Sequence, residues 1–168
     1  VRRFTRLEGD CVSYVHGGGR IGVLVKFDAD EKAAASEQLV ECGKDVAMQI
    51  AALNASFLNE ASIPADVLAH EKEVQLALIK NDPKNANKPD QILEKMIIGK
   101  MKKYYEENCL VDQAFVKDGN ITVAQYIAQQ AQAAGGSMTL VDFVRYEKGE
   151  GIQKREDDFA SEVASMVK

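Results

Sequence analysis

A length of 168 residues fits one domain or a domain with an appendage, and a content of 46% hydrophobic and 28% charged residues is ordinary for a soluble globular protein. The net charge of −5 disfavours direct binding of nucleic acid, which usually requires a clustered basic face. Cys11, Cys42 and Cys109 lie far apart with no C-x-x-C pair, so a disulfide framework and a structural zinc site are both disfavoured, and a reducing, intracellular setting is favoured.

The start of the chain predicts that other segments precede it. Val1 stands where a start methionine would, and the sequence has neither a leader pattern nor an apolar run long enough to span a membrane. We therefore expect the C-terminal part of a longer protein, with no membrane as a partner.

The first elements in the chain predict an antiparallel sheet. Residues 1–7 have the composition of a short strand, and the segment 14–27 alternates apolar and other residues around three consecutive glycines. This pattern predicts a strand, a tight turn and a second strand. Because glycine allows positive φ and leaves the backbone bare for close approach, the turn is also a candidate contact surface.

Three helices follow in the prediction. Apolar residues recur every three or four positions over 31–54, which predicts one helix packed on the sheet. Ser62 and Pro64 are typical of a second helix start, and Pro89 opens a third after the polar run 81–88. Residues 64–108 are therefore predicted to form an αα-hairpin around a mobile polar loop.

The hairpin carries more apolar surface than two helices need to bury between themselves. Its second helix has a wide stripe formed by Ile92, Leu93, Met96, Ile97, Met101, Tyr104 and Tyr105. Two interpretations stay open: the stripe docks on the chain's own sheet, or the hairpin protrudes and buries the stripe on a second copy or another partner.

The remaining elements complete an α+β prediction. A turn is expected at 118–120, a helix capped by Thr122 over 123–134, and a strand over 138–146 that joins the sheet. The fold class is thus α+β: a small antiparallel sheet from residues 11–27 and 138–147 covered by helices, with a protruding antiparallel helical hairpin and a C-terminal helix.

The predicted division of the chain follows from these elements. The core comprises 1–62 and 110–150, the hairpin 63–109, and a C-terminal helical module 151–168. Phe159, Val163 and Met166 lie on one side of the terminal helix.

Sites for covalent chemistry are weakly indicated. His16 followed by three glycines suggests an oxyanion hole, but the G-x-S-x-G nucleophile motif that accompanies it is missing. The glycines precede a strand and not the helix whose N-terminus holds the anion in a phosphate loop, so a phosphate loop is not predicted. His70 lacks the second histidine, four residues away, that a helical zinc site needs. No catalytic, metal-binding or cofactor-binding residue is predicted, and an enzyme remains only a third hypothesis resting on His16.

Several ordered motifs resemble the translation elongation factor Ts family over essentially the whole chain. The motifs are R-R-x-x-x-L-E-G-D at 2–10, Y-V-H-G-G-G-R-I-G-V-L-V at 14–25, K-D-V-A-M-Q-I-A-A at 44–52, K-P-D-Q-I-L-E-K-M-I-I-G-K-M-K-K-Y-Y-E-E at 88–107, L-V-D-Q-A-F-V-K at 110–117, F-V-R-Y-E-K-G-E-G-I at 143–152 and E-D-D-F-A-S-E-V-A at 156–164. The resemblance implies a guanine-nucleotide exchange factor that binds elongation factor Tu and promotes GDP release without covalent chemistry or a cofactor. The alternative from another class is a self-associating structural domain that makes no contact with a GTPase.

The resemblance also implies site residues. His16 matches the family's turn histidine, a contact to the third domain of the GTPase, and Gly17, Gly18, Gly19 and Arg20 lie beside it. The hairpin resembles a coiled-coil protrusion linked to dimerisation in some members. The helix from Asp157 resembles the module that docks on the GTPase, which adds Phe159, Val163 and Met166 to the predicted partner-binding residues.

The family's N-terminal domain and its T-D-F-V segment, which wedges into the nucleotide domain of the GTPase, have no counterpart in these 168 residues. Residues 141–144, V-D-F-V, look similar, but the flanking residues 145–152 place them in the family's last core strand, where Phe143 is expected to be buried. The resemblance implies a cytoplasmic protein, or an organellar one in the mitochondrial matrix or plastid stroma.

Overall fold

The computed structural model describes residues 2–85 and 88–152. In chain order the elements are β1 (Asp10–His16), β2 (Ile21–Ala29), α1 (Glu31–Ala34), α2 (Glu37–Leu53), α3 (Ala65–Asn81), α4 (Asp90–Asn108), β3 (Ala114–Phe115), β4 (Asp118–Thr122), α5 (Val123–Ala134) and β5 (Met138–Glu147). The predicted α+β class is confirmed. The predicted helix from residue 157 lies outside the described residues.

The core lies between a three-stranded antiparallel sheet and the helices α2 and α5. The strand order is β1-β2-β5, so β2 is central. Val23, Val25 and Phe27 alternate along β2 and are buried, as expected for a strand with one face on the core. Gly43 of α2 allows close packing, because a Cβ there would lie 2.5 Å from Cγ2 of Val12. The predicted contribution of 11–27 and 138–147 to one sheet is confirmed.

Of two local predictions at the start of the chain, one was wrong and the other was correct except at one break. Residues 2–8 form an irregular arm instead of a strand. The helix predicted over 31–54 is interrupted at Ser36, whose hydroxyl donates to the carbonyl of Ala33 at 2.6 Å and accepts from the amide of Leu39 at 3.3 Å. Ser36 is therefore the N-cap of a new helix, which is the position that serine favours.

The predicted turn at 118–120 is instead the start of a strand. The turn occurs two residues earlier, at 116–117, and β3 pairs with β4. The amide of Val116 donates to Oε1 of Gln49 in α2 at 2.7 Å, which attaches this small ribbon to the core. The composition Asp-Gly-Asn is typical of turns, but a tertiary contact fixes the turn elsewhere.

The helices α3 and α4 form the antiparallel hairpin and pack chiefly on each other, burying Ile79 and Met101. Where the hairpin leaves and rejoins the core, the amide of Phe57 donates to the carbonyl of Asn108 at 3.1 Å and the amide of Leu110 donates to the carbonyl of Phe57 at 2.9 Å. We call this junction, residues 56–58 and 108–111, the neck. Of the two interpretations left open above, the protruding hairpin is the one that the packing supports.

The ends of the hairpin helices differ in detail from the prediction. Ser62 belongs to a short 3-10 turn at 60–62 capped by Asn59, and the N-cap of α3 is Pro64. The loop predicted to be mobile includes a 3-10 turn at 83–85. There the buried Asn85 donates to the carbonyl of Ile79 at 2.8 Å.

A bulge in β5 decides which residues of the V-D-F-V segment face the core. Lys26 pairs with Asp142, but the next residue of β2, Phe27, pairs with Leu140, so Val141 has no opposite residue. Such an extra residue shifts the alternation of side chains between the two faces of a sheet. Phe143 consequently packs against the core but is only partly buried, so the expected burial is met in part.

Candidate partner-binding site

The glycine turn between β1 and β2 is one turn of left-handed backbone. The φ angles of Gly17, Gly18 and Gly19 are 59°, 65° and 92°, and the amide of Arg20 donates to the carbonyl of His16 at 3.1 Å. Three consecutive residues at positive φ require glycine, because a side chain makes this conformation costly. A Cβ at Gly18 or Gly19 would meet nothing within 4 Å. The turn therefore exposes backbone that another molecule could approach closely.

His16 is exposed at the last position of β1. Its Nδ1 lies 3.0 Å from the hydroxyl of Tyr14, two residues earlier on the same face of the strand. The two rings are 5.9 Å apart between centroids and tilted by 38°. In the described part of the chain, this tyrosine is the side chain to which the histidine is hydrogen-bonded. The arrangement fixes the orientation of the His16 ring, and within residues 2–85 and 88–152 the ring is not hydrogen-bonded to a serine or cysteine side chain.

The end of β5 supports the glycine turn from the side. Nη2 of Arg20 and Oε1 of Glu147 are 3.2 Å apart, and the amide of Lys148 donates to the carbonyl of Arg20 at 2.8 Å. Nη2 of Arg145 also donates to Glu147, at 2.9 Å. The hydrogen bond from Arg145, followed by that from Arg20, lowers the pKa of the Glu147 carboxyl below its ordinary value.

The N-terminal arm adds two arginines to the same end of the sheet. Arg2 donates to the carbonyls of Glu150 and Gly151 at 2.6 and 3.0 Å. Arg3 pairs with the Glu150 carboxylate at 2.7 Å, and its guanidinium lies 4.8 Å from the centroid of the Tyr146 ring. The pKa of Glu150 is lowered, primarily by the hydrogen bond from Arg3. We call residues 2–3, 16–20 and 145–151 together the sheet end.

Sequence reasoning identified only part of the sheet end. It predicted His16, Gly17, Gly18, Gly19 and Arg20, which the structure places side by side, but it missed the contacts of the arm and of residues 145–151. The bond from Arg2 to Glu150 joins positions 148 residues apart, and no local periodicity reports such a contact. The available signal in the sequence was the opposite charge of two short motifs, R-R at 2–3 and E-x-x-E at 147–150.

The helical hairpin carries a second exposed surface, away from the glycine turn. An open groove of about 670 Å³ is lined by Glu60, Lys72, Glu94, Ile97, Ile98, Met101, Lys102 and Tyr105. Ile98 is 69% exposed although its side chain is apolar. Contiguous exposed apolar surface of this kind is typical of association sites.

The predicted contact residues of the C-terminal helix stay untested, and the described residues include neither a cluster of metal ligands nor a helix fit to span a membrane. Phe159, Val163 and Met166 lie outside the described residues. Within 2–85 and 88–152, the side chains form no group of three potential metal ligands. In the same part of the chain, no helix combines the length and hydropathy needed to cross a bilayer.

Comparison with known proteins gives a consistent result. A family model described as "Elongation factor TS" matches residues 1–150. The chain is 47% identical over 170 aligned positions to a protein named elongation factor Ts from Clostridium botulinum (strain ATCC 19397 / Type A). It is 45% identical over the same length to one of that name from Clostridium kluyveri (strain NBRC 12016). Each alignment covers 99% of this chain and 53% of the relative, so the chain spans about half the length of the curated relatives it matches.

Proposed function

The chain belongs to the elongation factor Ts family, and on that premise we propose that it binds elongation factor Tu as part of a guanine-nucleotide exchange factor that promotes GDP release. The observation that carries the proposal is the glycine turn. It projects exposed backbone and an oriented His16 from a sheet whose other side is packed on the core. A small rigid projection of this kind suits recognition of a folded surface.

Exchange by binding follows from thermodynamic linkage. A factor that binds the nucleotide-free GTPase more tightly than the GDP-bound form must lower the affinity for GDP by the same ratio. No bond is made or broken in this process. His16, Gly17, Gly18, Gly19 and Arg20 would therefore act as contacts, and Phe159, Val163 and Met166 would add a second contact from the C-terminal module.

We propose that these 168 residues bind the GTPase but exchange its nucleotide poorly. Contacts that are indifferent to bound GDP tether the partner without shifting its equilibrium. The V-D-F-V segment is a poor substitute for the family's wedge, because its Phe143 packs against the core.

The cytoplasm is the proposed location, and nucleic acids and membranes are not proposed as direct partners.

The first test is binding to purified elongation factor Tu in GDP-free buffer. His16→Ala is expected to weaken binding by about 1 to 2 kcal/mol, the cost of losing a central contact, while thermal stability changes by about 0.5 kcal/mol or less. The matched control is His70→Ala, because His70 is also exposed but lies on α3. Failure of the wild-type chain to bind, or equal losses in the two variants, would contradict the proposal.

The second test measures release of fluorescent GDP from elongation factor Tu. At matched occupancy, the 168 residues should accelerate release much less than a full-length factor. Equal rates would show that the wedge segment is dispensable.

A separate assay for ester hydrolysis tests the enzyme hypothesis. Hydrolysis by the wild-type chain that disappears in His16→Ala would revive that hypothesis.

We also propose that the hairpin groove mediates self-association, because it exposes apolar side chains next to both acidic and basic ones. Such a mixed rim can be self-complementary in a two-fold dimer. Ile98→Asp should lower the average mass measured by light scattering at high concentration. A wild-type chain that stays monomeric would refute this part of the proposal.

A further inference from the structure

The sheet end concentrates positive charge on a chain that is negative as a whole. The sheet end includes five cationic side chains (Arg2, Arg3, Arg20, Arg145 and Lys148) and two carboxylates (Glu147 and Glu150), whereas the chain has a net charge of −5. Three of the cations, Arg3, Arg20 and Arg145, pair with these carboxylates. The sequence separates these residues into three segments. Only the fold brings them together, so composition gave no sign of a basic surface.

The two carboxylates leave much of this charge available to a partner. Glu147 is shared between Arg145, whose side chain is 14% exposed, and Arg20, whose side chain is 72% exposed. Glu150 is bound by Arg3. Arg2 is bonded to backbone carbonyls, and Lys148 forms no ion pair among the described residues. The exposed cations therefore exceed the anions that could neutralise them.

The surroundings of these cations favour a folded protein over a nucleic acid as the ligand. Gly17, Gly18 and Gly19 carry no side chains beside Arg20, so a partner's backbone can approach while its carboxylates reach the guanidinium. The carboxylates of Glu147 and Glu150 lie within the patch and would repel a uniform row of phosphates. The remainder of the chain is strongly negative, which opposes a polyanion but tolerates a local acidic patch.

We propose that the sheet end is an electrostatic docking surface for an acidic patch of the partner protein, in which Arg20 and Lys148 attract carboxylates before the glycine turn makes close contact. This inference rests on the proposed function and adds the chemistry of the partner surface. Complementary charge of this kind accelerates association more than it slows dissociation. The arm belongs to the surface, since Arg2 and Arg3 hold the turn at 147–151 in place.

The test compares charge reversals in the two exposed regions. Arg20→Glu removes a cation that is 72% exposed and paired with Glu147, and the control Lys103→Glu removes one that is 70% exposed and paired with Glu107 on α4. The rate constant for association with elongation factor Tu is measured by stopped flow from about 50 to 500 mM salt. Arg20→Glu should slow association roughly tenfold or more at low salt, with convergence at high salt, whereas Lys103→Glu should stay within about twofold.

Each outcome is decisive. If the wild-type chain binds but the two variants associate at equal rates, the sheet end is not an electrostatic surface and the proposed function still stands. If the wild-type chain does not bind at all, both proposals fail. If a short single-stranded RNA binds and loses affinity in Arg20→Glu only, the ligand is a nucleic acid and the assignment to a protein is wrong. Lys148→Glu supplies a second variant that leaves the pair between Arg20 and Glu147 intact.

Discussion

The glycine turn and the helical hairpin are both exposed, but they are held in place in opposite ways. The turn has almost no side chains of its own, yet its flanking strands are paired and Arg20 is bonded to both Glu147 and Lys148. The hairpin has many apolar side chains, but α3 and α4 pack chiefly on each other and rejoin the core at the neck. The core fixes the position of the turn, and the hairpin depends on its own packing.

This difference bears on what each region can do in binding. A contact surface that is already fixed loses little conformational entropy when a partner binds, so a few polar contacts can suffice. A region with its own small core can open locally without unfolding the domain. The turn therefore suits recognition, and the hairpin suits association through apolar area.

The largest expected difference between the core and the hairpin comes from shortening a buried side chain at the neck. Leu110 is fully buried in the main core immediately after α4, so Leu110→Ala should lower the free energy of unfolding by about 2 to 5 kcal/mol. Leu78→Ala is the matched control, because Leu78 is 60% exposed on α3 and its loss should cost about 0.5 kcal/mol or less. Chemical denaturation measures both. Similar values would mean that the neck is not part of the cooperative core.

A smaller and more local effect is expected inside the hairpin. Met101 is buried between α3 and α4, and Met101→Ala should destabilise the hairpin by about 2 kcal/mol, the lower end for such a truncation. Amide hydrogen exchange should accelerate in α3 and α4 while the amides of β2 stay protected. Equal acceleration in β2 would show that hairpin and sheet unfold together.

The same chemical change should have opposite signs in the two regions. Gly18 has a φ of 65° with open space around it, so Gly18→Ala should destabilise the chain by about 1 kcal/mol through backbone strain. Gly99 is solvent-exposed in the middle of α4, and a Cβ built there would meet nothing within 4 Å. Gly99→Ala should stabilise by about 0.5 to 1 kcal/mol, because it removes the entropic cost of glycine in a helix. Thermal unfolding of both variants decides the matter.

Local signals in the sequence predicted the regular elements well. Thr122 and Gly135, which bound α5, are the residue types that favour those positions, and both ends were predicted correctly. The strands of the main sheet followed from alternation. The errors occurred where a side chain or a distant partner decided the local structure, as at Ser36 and at the pairing of β3 with β4.

The candidate site was predictable only where it is contiguous in the chain. The segment from His16 to Arg20 could be identified from its glycines, because consecutive glycines indicate a turn at positive φ whose backbone is open to close approach. The arm and residues 145–151 could not be added, because their contacts to each other connect opposite ends of the described chain. The bulge at Val141 was equally hidden, as no turn residue marks it.

The smallest expected effect is a pH dependence confined to the sheet end. The pKa of Glu147 is lowered by Arg145 first and by Arg20 next, so the carboxylate favours the folded state. The stabilisation is fully present above the unfolded pKa of about 4.3 and is lost as the pH falls through the lower folded pKa. A carboxyl-carbon NMR titration should show a low folded pKa that rises in Arg145→Gln more than in Arg20→Gln. An unchanged pKa in both variants would mean that the arginines do not hold this carboxylate. The sheet end would then lack the ion pair that ties the glycine turn to β5, whereas the pair of Lys103 with Glu107 joins residues four apart on one helix.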